Sequence, residues 1–512
     1  MRKKLPEWLS SEWFIQCAVF TAAWFLLMPF YRWQIDADGI SYISIAARYA
    51  AGDFSGAVNG YWGPLLSWLI VPFIKLGANP LIACKIIGLL TGIASLFLVR
   101  KLLTLLEVPA AYARTAVYVF MPVALSYFMV VISPDLLVAV LLGFYCCLSV
   151  KDDFLSGVRG PALSGALAAL GYLAKSFAMP FFLAHFTALA LWRGFGKKEH
   201  VLRGYIAGMV AFAVIAVPWS GVLSAKYGRL TLNTTGAYNM AVVGPTYIGH
   251  PINFEGFFEP RDSAALSVWE EPSLIPVRVW SPLASAELFR HQVHLLVKNS
   301  FELLTAYESI SAFTPALLAF MLLLFIGYLR GEDKRGIFAV LLFSVALYSA
   351  GYLPIVIRAR YFYLCYIILF AVGWKLITLG DAWWRDGWKT KTACALFALS
   401  FLITPANNLI GNLNSGRAIL DAARHIGAQY QLAGKRVASN TRWMDTLYLA
   451  YYLRFSYLGE MRKGITQPEL NAELDRFHAD YFIAWYENPL VPAGWTEITD
   501  GRFGFLTIYA RQ

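Results

Sequence analysis

About eleven apolar runs, each roughly 17–25 residues long, follow one another along this chain. They lie near 12–31, 79–99, 112–131, 134–150, 162–177, 178–193, 203–223, 306–329, 336–357, 361–379 and 391–410. A helix of about 20 apolar residues crosses the hydrocarbon core of a bilayer. With 58% hydrophobic and 15% charged residues, the composition is too apolar for a soluble globular protein. The sequence therefore predicts a mainly α, polytopic membrane helix bundle with about 11 spans.

The cations between these runs predict the topology. If the N-terminus is cytoplasmic, the alternate loops that carry clusters of lysines and arginines are all cytoplasmic, as the positive-inside rule requires. These cations are Arg2, Lys3, Lys4, Arg100, Lys101, Lys151, Arg159, Arg193, Lys197, Lys198, Arg203, Arg330, Lys334, Arg335, Arg385, Lys389 and Lys391. Topology thus accounts for the net charge of +11 better than a nucleic-acid partner does.

Three longer segments fall on the opposite, non-cytoplasmic face. Residues 32–78 predict amphipathic interfacial helices, and residues 224–305, rich in proline and aromatics, predict an ordered loop with short helices. Both belong to a predicted transmembrane domain at 1–410. Residues 411–512 predict a small extracytoplasmic α/β domain, with helices at 415–432 and 444–453 and strands at 436–439, 480–485 and 505–509.

Several ionisable residues lie at the non-cytoplasmic ends of the predicted spans. Charge near the hydrocarbon costs free energy, so each such residue is a functional candidate. They are Asp36, Asp38, Lys85, Asp135, Lys175, Arg358 and Arg360. Lysine and arginine can neutralise a phosphate leaving group, while an aspartate takes the proton from an acceptor hydroxyl. The set therefore predicts one composite site for inverting transfer of a sugar from a lipid-linked phosphate.

Five sequence motifs resemble those of GT-C membrane glycosyltransferases. They are DADGISYISIAARYAAG at 36–52, NGYWGPL at 59–65, SPDLL at 133–137, GYLAKS at 171–176 and RARYFY at 358–363. The resemblance is strongest to the bacterial branch related to protein O-mannosyltransferases and lipid A aminoarabinose transferase. It covers most of the membrane region in order and spacing, and the tail only in its position.

The resemblance implies a polyprenyl-phosphate-sugar donor, a lipid, glycan or protein acceptor, and a periplasmic active site in a bacterial inner membrane. Asp36 best matches the family's loop base, but Asp-Ala-Asp replaces the usual Asp-Glu pair, so Asp38 also fits. Asp135 is a further catalytic candidate. Lys85 and Arg48 match family positions that face phosphate, beside Lys175, Arg358 and Arg360. A divalent metal is left open, since members of the class differ in requiring one, and no ligand is assigned.

The candidate residues also have structural interpretations. Asp38 fits a helix N-cap, and Asp135 stands where the helix dipole alone could retain it. Lys175, Arg358 and Arg360 could extend to the interface. Tyr42, Tyr61, Trp62 and Tyr361 are candidate substrate contacts, while Tyr61 and Trp62 also fit interfacial anchors. A transporter or lipid flippase and an O-antigen-ligase-like enzyme are the alternative functions.

Overall fold

The computed structural model describes residues 11–194, 198–247, 249–330, 336–384, 387–486 and 490–511. Among the cations used for topology, Arg2, Lys3, Lys4, Lys197, Lys334, Arg335 and Arg385 lie outside these residues. Within the described ranges there are nineteen α-helices: α1 Glu12–Tyr31, α2 Ala37–Ala51, α3 Phe54–Ala57, α4 Pro64–Lys75, α5 Pro80–Leu105, α6 Ala110–Met129, α7 Asp135–Ser149, α8 Arg159–Ala174, α9 Ala178–Trp192, α10 Glu199–Tyr227, α11 Thr235–Val242, α12 Ala286–Glu308, α13 Thr314–Leu329, α14 Ile337–Ala350, α15 Tyr363–Trp384, α16 Gly387–Gly411, α17 Arg417–Gln429, α18 Trp443–Leu453 and α19 Gln467–Arg476.

Five strands complete the described secondary structure: β1 Arg436–Ser439, β2 Ser456–Glu460, β3 Tyr481–Trp485, β4 Thr496–Glu497 and β5 Leu506–Ala510. They form one sheet in the order β2-β1-β3-β5-β4. Strand β1 runs parallel to β2 and β3, and β5 runs antiparallel to β3 and β4. The predicted small α/β domain in the tail is therefore confirmed.

Each predicted span coincides with a helix. Among the described residues, five helices are long and apolar enough to cross a membrane: α1, α5, α10, the helix that includes α15, and α16. Helices α7, α9, α13 and α14 are apolar but shorter. The helices and the membrane-type composition confirm a polytopic helix bundle, while the count of eleven spans stays a prediction.

The chain divides into two compact units. The helical unit comprises Met1–Arg32, Ile82–Leu230 and Val293–Leu413. The sheet unit comprises Trp33–Leu81, Thr231–Gln292 and Asn414–Gln512. Two segments that the sequence analysis placed in the transmembrane domain, 32–78 and most of 224–305, thus belong to the same compact unit as the tail.

Close packing of small residues holds part of the helical unit together. A Cβ added to Gly165 of α8 would clash with the backbone of Gly208 in α10, so the two helices approach through these glycines. Such contacts allow helix backbones to pack closely where the hydrophobic effect contributes little. Helix α15 is largely buried, with 83% of its most apolar stretch inside the protein, and it is therefore a central helix of this unit.

The sheet unit has a hydrophobic core of its own. Leu458 of β2, Phe482 of β3 and two leucines of α19, Leu470 and Leu474, are completely buried together. Helix α19 begins with a capping box between Thr466 and Glu469. Burial of these large side chains stabilises the tail, because each contributes roughly 1.5–3 kcal/mol of transfer free energy.

Candidate functional site

Three candidate residues of the helical unit meet at the ends of three helices. Asp135 is the first residue of α7, Lys175 follows the last residue of α8, and Arg360 lies in a 3-10 turn that leads into α15. Lys175 Nζ donates a 2.5 Å hydrogen bond to Asp135 Oδ1, and Arg360 Nε lies 3.5 Å from Asp135 Oδ2. The carboxylate side chain is only 3% exposed, against 22% for Lys175 and 29% for Arg360. Two partly accessible cations therefore share one buried anion.

An aromatic ring orients the lysine of this cluster. Lys175 Nζ lies 3.5 Å from the centroid of the Tyr361 ring, and Tyr361 stacks on Tyr352 with ring centroids 5.1 Å apart. Ser133 Oγ donates a 2.9 Å hydrogen bond to Asp135 Oδ2. We name Asp135, Lys175, Arg360 and Tyr361 the cation cluster. With one carboxylate and two cations, it carries one excess positive charge.

Two other predicted phosphate contacts of the helical unit lie in different surroundings. Arg358, two residues from Arg360, is exposed. Lys85 is completely buried, and its ammonium donates to the carbonyl oxygens of Phe128 and Met129 at 3.3 and 2.8 Å. Because α6 ends at Met129, Lys85 binds the carbonyl end of that helix, where a cation is favourable. These contacts favour a structural role for Lys85.

The two loop aspartates occupy different positions in the sheet unit. Asp36, and not Asp38, is the N-cap of α2, because the helix begins at Ala37. Its Oδ1 accepts from the Gly39 amide at 2.8 Å, and its Oδ2 accepts from Gln34 Nε2 at 3.1 Å. The interpretation of Asp38 as the cap is therefore wrong: Asp38 lies in the first turn, and its Oδ1 accepts from the indole nitrogen of Trp269 at 3.4 Å.

The sequence analysis missed Trp269, which lies in the predicted 224–305 loop. The Trp269 carbonyl oxygen accepts from Ser41 Oγ at 3.1 Å and from Trp62 Nε1 at 3.0 Å. Its ring packs edge-on against His250 and Trp443, with centroids 5.1 and 6.1 Å away. The indole beside Asp38 is thus held on several sides. The acidic pair Glu270-Glu271, which directly follows Trp269, was a local sequence signal for this part of the loop.

The predicted aromatic contacts of the first loop form one cluster. Tyr42 and Trp62 are buried and their rings lie 5.2 Å apart, while the Tyr61 ring lies 4.8 Å from Trp62 and 5.8 Å from Trp269. Tyr61 also donates a 3.3 Å hydrogen bond to Asn239. These rings join α2, the start of α4 and the second loop.

Arg48 is surrounded by carboxylates. Its guanidinium lies 3.0 Å from Asp53, 2.7 Å from Asp262 and 3.7 Å from Glu270. Burial raises the pKa of Glu270 to about 7, although the Leu266 amide and Arg48 act in the opposite direction. Three acidic partners leave little positive potential for a phosphate, so Arg48 serves to attach residues 262–270 to α2.

A tyrosine of the tail lies close to the loop aspartates. Burial raises the pKa of Tyr448 in α18 above its usual value, and the nearby charges of Asp36, Asp445 and Asp38 act in the same direction. The hydroxyl is therefore protonated at neutral pH. The sequence analysis gave no signal for this residue, because only the packing of α18 against α2 brings it there.

The predicted site residues thus gather in two groups. The helical unit brings together Asp135, Lys175, Arg360 and Tyr361, and the sheet unit brings together Asp36, Asp38, Tyr42, Tyr61 and Trp62. Within the described ranges, no group of three or more histidine, cysteine, aspartate or glutamate residues is arranged to hold a metal ion.

The fold is similar to that of ArnT from Cupriavidus metallidurans. The apo structure of ArnT superimposes with a TM-score of 0.51 at 14% identity, covering 96% of this chain and 97% of that one. The structure of ArnT bound to undecaprenyl phosphate gives 0.49 at 14% identity, with 97% of both chains covered. A structure of the arabinofuranosyltransferase AftD from mycobacteria gives 0.49 at 13% identity, covering 99% of this chain and 42% of that one.

The likeness to apo ArnT confirms the fold that the sequence motifs implied. The sequence itself gave no match to any family model. It also matched no curated protein. The apolar helices and the fold show that the chain is an integral membrane protein.

Proposed function

We propose that this protein is a membrane glycosyltransferase that moves a sugar from a polyprenyl-phosphate donor to an acceptor hydroxyl, with inversion at the anomeric carbon. The cation cluster is the observation that supports this most directly. A polyprenyl-phosphate leaving group gains negative charge as the glycosidic bond breaks, and Lys175 and Arg360 supply more positive charge than Asp135 cancels. Arg358, exposed in the same turn, is the third proposed phosphate contact.

The reaction balances with the residues available. The acceptor oxygen attacks the anomeric carbon while the bond from that carbon to the phosphate oxygen breaks, and its electron pair leaves with the polyprenyl phosphate. The acceptor proton passes to the carboxylate of a first-loop aspartate, either Asp36 or Asp38. Asp135 acts on the two cations, holding Lys175 and Arg360 in position, and does not itself serve as the base.

The surroundings of the two aspartates favour Asp38 as this base. Asp36 stabilises the start of α2 through the Gly39 amide, and a change in its protonation would weaken that cap. Asp38 contacts the indole of Trp269, a ring set in a fixed aromatic frame. Under this proposal the reaction and residues 411–512 are on the periplasmic side of a bacterial inner membrane.

Binding of the carrier lipid tests the cation cluster. Undecaprenyl phosphate is the suitable probe, since it is the lipid bound in one ArnT structure. We expect Lys175→Ala and Arg360→Ala to weaken its binding to the purified protein at least tenfold, because each removes a charge-assisted contact. Arg203→Ala is the matched control, since Arg203 belongs to the same unit but is 75% exposed and pairs only with Glu199 among described carboxylates. Equal affinity in all variants would contradict the proposal.

An assay of sugar transfer tests which loop aspartate is the base. Mass analysis of envelope glycans and lipids from cells without the gene identifies the sugar and acceptor, and the purified protein is then assayed with that pair. Asp38→Asn should abolish transfer while undecaprenyl phosphate still binds, whereas Asp36→Asn should mainly lower stability. Undiminished transfer by both variants would exclude the loop aspartates, and movement of the lipid across the bilayer without transfer would support a flippase instead.

A further inference from the structure

A second group of cations lies in the helical unit, far from the cation cluster along the helices. Helix α7 starts at Asp135 and ends at Ser149, so its two ends are about 22 Å apart. Beyond the second end lies a cavity of about 310 Å³. Its polar lining residues are Asp152, Ser156, Arg193, Lys198, His200 and Tyr328. This is the end of the bundle where the sequence predicts the cytoplasm.

Arg193 of this cavity has one guanidinium nitrogen without a hydrogen-bond partner among the described residues. It follows the last residue of α9, its Nη2 donates a 2.7 Å hydrogen bond to the Ser149 carbonyl oxygen, and its guanidinium lies 5.7 Å from the Phe154 ring centroid. Its Nη1 is buried and has no hydrogen-bond partner within the described chain. An unsatisfied buried donor destabilises the folded protein, and more strongly when the group is charged. An anionic oxygen seated in the cavity would remove this cost.

Two helix starts add donors to the same cavity wall. Helix α10 begins after Lys198, whose side chain makes no capping hydrogen bond, and α14 begins after Gly336, which has no side chain that could cap it. Both residues line the cavity. The first amides of a helix are unpaired and carry partial positive charge, which favours an anion nearby. Arg193 and the two helix starts are independent features, and they favour the same kind of ligand.

The charge balance of the lining also favours an anion. Lys198 and His200 are exposed, and with Arg193 they give two permanent positive charges and one that depends on pH. The single carboxylate of the described lining, Asp152, is exposed, and its neighbour Asp153, outside that lining, is also exposed and also acts on Arg193. The acidic residue of the first turn of α10, Glu199, is 88% exposed and lies 3.4 Å from Arg203. The described lining therefore has more positive than negative charge.

Two aromatic residues indicate where the anion comes from. Trp192 and Tyr328 line the cavity, and their rings pack edge-on with centroids 5.6 Å apart. Tryptophan and tyrosine concentrate at the depth of the lipid headgroups, and basic pockets between helices at that depth bind anionic headgroups. We propose that this cavity binds a phosphate group, presented by the headgroup of an anionic phospholipid. The site is separate from the cation cluster and does not depend on the proposed transfer reaction.

Lipid retention and thermal unfolding test this site on the full chain. The purified protein is titrated in detergent with phosphatidylglycerol, with phosphatidylcholine, or with inorganic phosphate. We expect phosphatidylglycerol to raise the unfolding temperature and to be retained in native mass spectrometry, and phosphatidylcholine to do neither. Arg193→Gln should weaken phosphatidylglycerol binding at least fivefold. Arg330→Gln is the matched control, since Arg330 is exposed at the same end of the unit and outside the described lining.

A second variant is needed because Arg193→Gln removes the hydrogen bond from Arg193 to the Ser149 carbonyl oxygen and could therefore fail to fold. Lys198→Gln combined with His200→Gln changes only exposed side chains and should weaken phosphatidylglycerol binding about threefold. Stabilisation by inorganic phosphate that is lost in this double variant supports the phosphate site but assigns its occupant to solution. Phosphatidylglycerol retention equal to that of phosphatidylcholine, or unchanged in both cavity variants, would overturn the proposal.

Discussion

Lys175 donates a 2.5 Å hydrogen bond to Asp135, and these two residues begin and end consecutive helices of the helical unit. The same carboxylate lies 3.5 Å from Arg360. A buried carboxylate at a helix start thus fixes two cations whose side chains stay partly accessible. The arrangement prepares a positive surface without burying an uncompensated charge, which is the costly alternative.

Replacing Asp135 should change the free energy of unfolding more than it changes the affinity for the lipid. We expect Asp135→Asn to lower the free energy of unfolding by about 3 kcal/mol, because Lys175 and Arg360 lose their shared counter-ion. Binding of undecaprenyl phosphate by the folded protein should weaken by less than about threefold, because loss of the competing carboxylate offsets the looser positioning of Lys175 and Arg360. Thermal unfolding in detergent and lipid titration measure the two effects.

The matched control for Asp135→Asn is Asp421→Asn. Asp421 also pairs with two arginines, Arg417 and Arg424, but its side chain is 47% exposed. An exposed pair contributes little, so this change should leave the unfolding temperature almost unaltered. A protein with Asp135→Asn that is as stable as the control would contradict the assigned role of the ion pair.

The sequence predicted the elements that follow from clear hydrophobic runs and missed others in the tail, although one of these carries a local signal. Strand β1 at 436–439 and the helices of the membrane region follow from hydrophobic runs, and the structure has them in place. Strand β2 was missed because Gly459 lies within it at φ +121°, where the register with β1 shifts. Helix α19 was missed although Thr466 and Glu469 carry a capping-box signal.

The residues of the candidate site likewise include some that the sequence predicted and some whose contacts it could not show. The motifs identified Asp135, Lys175 and Arg360, because ionisable residues at the ends of apolar runs are conspicuous in sequence. They could not show that Lys85 binds helix carbonyls or that Arg48 faces three carboxylates, since those partners lie up to 222 positions away in Glu270. Trp269 contacts Asp38 across 231 positions, a relationship that only the folded second loop creates.

Replacing the indole beside Asp38 tests its contribution to transfer. We expect Trp269→Phe to lower kcat about tenfold and to leave KM for the donor nearly unchanged, because the ring remains while the N–H donor is lost. Steady-state kinetics with the donor varied measure both constants.

Trp68→Phe is the control for this substitution. Trp68 belongs to α4 of the same unit, is 38% exposed and packs against Tyr49. Its replacement should change neither kcat nor KM. If Trp269→Phe behaves like Trp68→Phe, the indole has no role in positioning Asp38.

Glu270 should make the stability of the sheet unit depend on pH. Its pKa is raised by burial from 4.5 to about 7, so the folded state binds this proton more tightly than the unfolded state. The stabilisation is complete below pH 4.5 and is lost as the pH rises through 7, a decrease of roughly 3 kcal/mol. We expect the unfolding temperature, followed by tryptophan fluorescence, to fall between pH 5 and pH 8.

Glu270→Gln should flatten this pH dependence. Arg48 keeps Asp53 and Asp262 as partners, so the substitution leaves the guanidinium paired. Burial also raises the pKa of Glu460 to about 7, so a smaller slope of the same sign should remain until Glu460→Gln is added. A slope that is identical in the parent and in the Glu270 variant would show that this carboxyl does not titrate in that range.

Lys85 provides the test that separates a structural cation from a phosphate-binding one. Its ammonium is completely buried and lies 2.8 Å from the Met129 carbonyl oxygen, whereas the Lys175 ammonium is partly accessible above Tyr361. A phosphate that reached Lys85 would have to displace the end of α6 and lose its own hydration. We therefore expect Lys85→Met to change the affinity for undecaprenyl phosphate by less than about twofold, while Lys175→Met lowers it at least tenfold. Parallel lipid titrations of the two folded variants measure this difference. A comparable loss of affinity in both variants would support Lys85 as a phosphate contact, as the sequence motifs suggested.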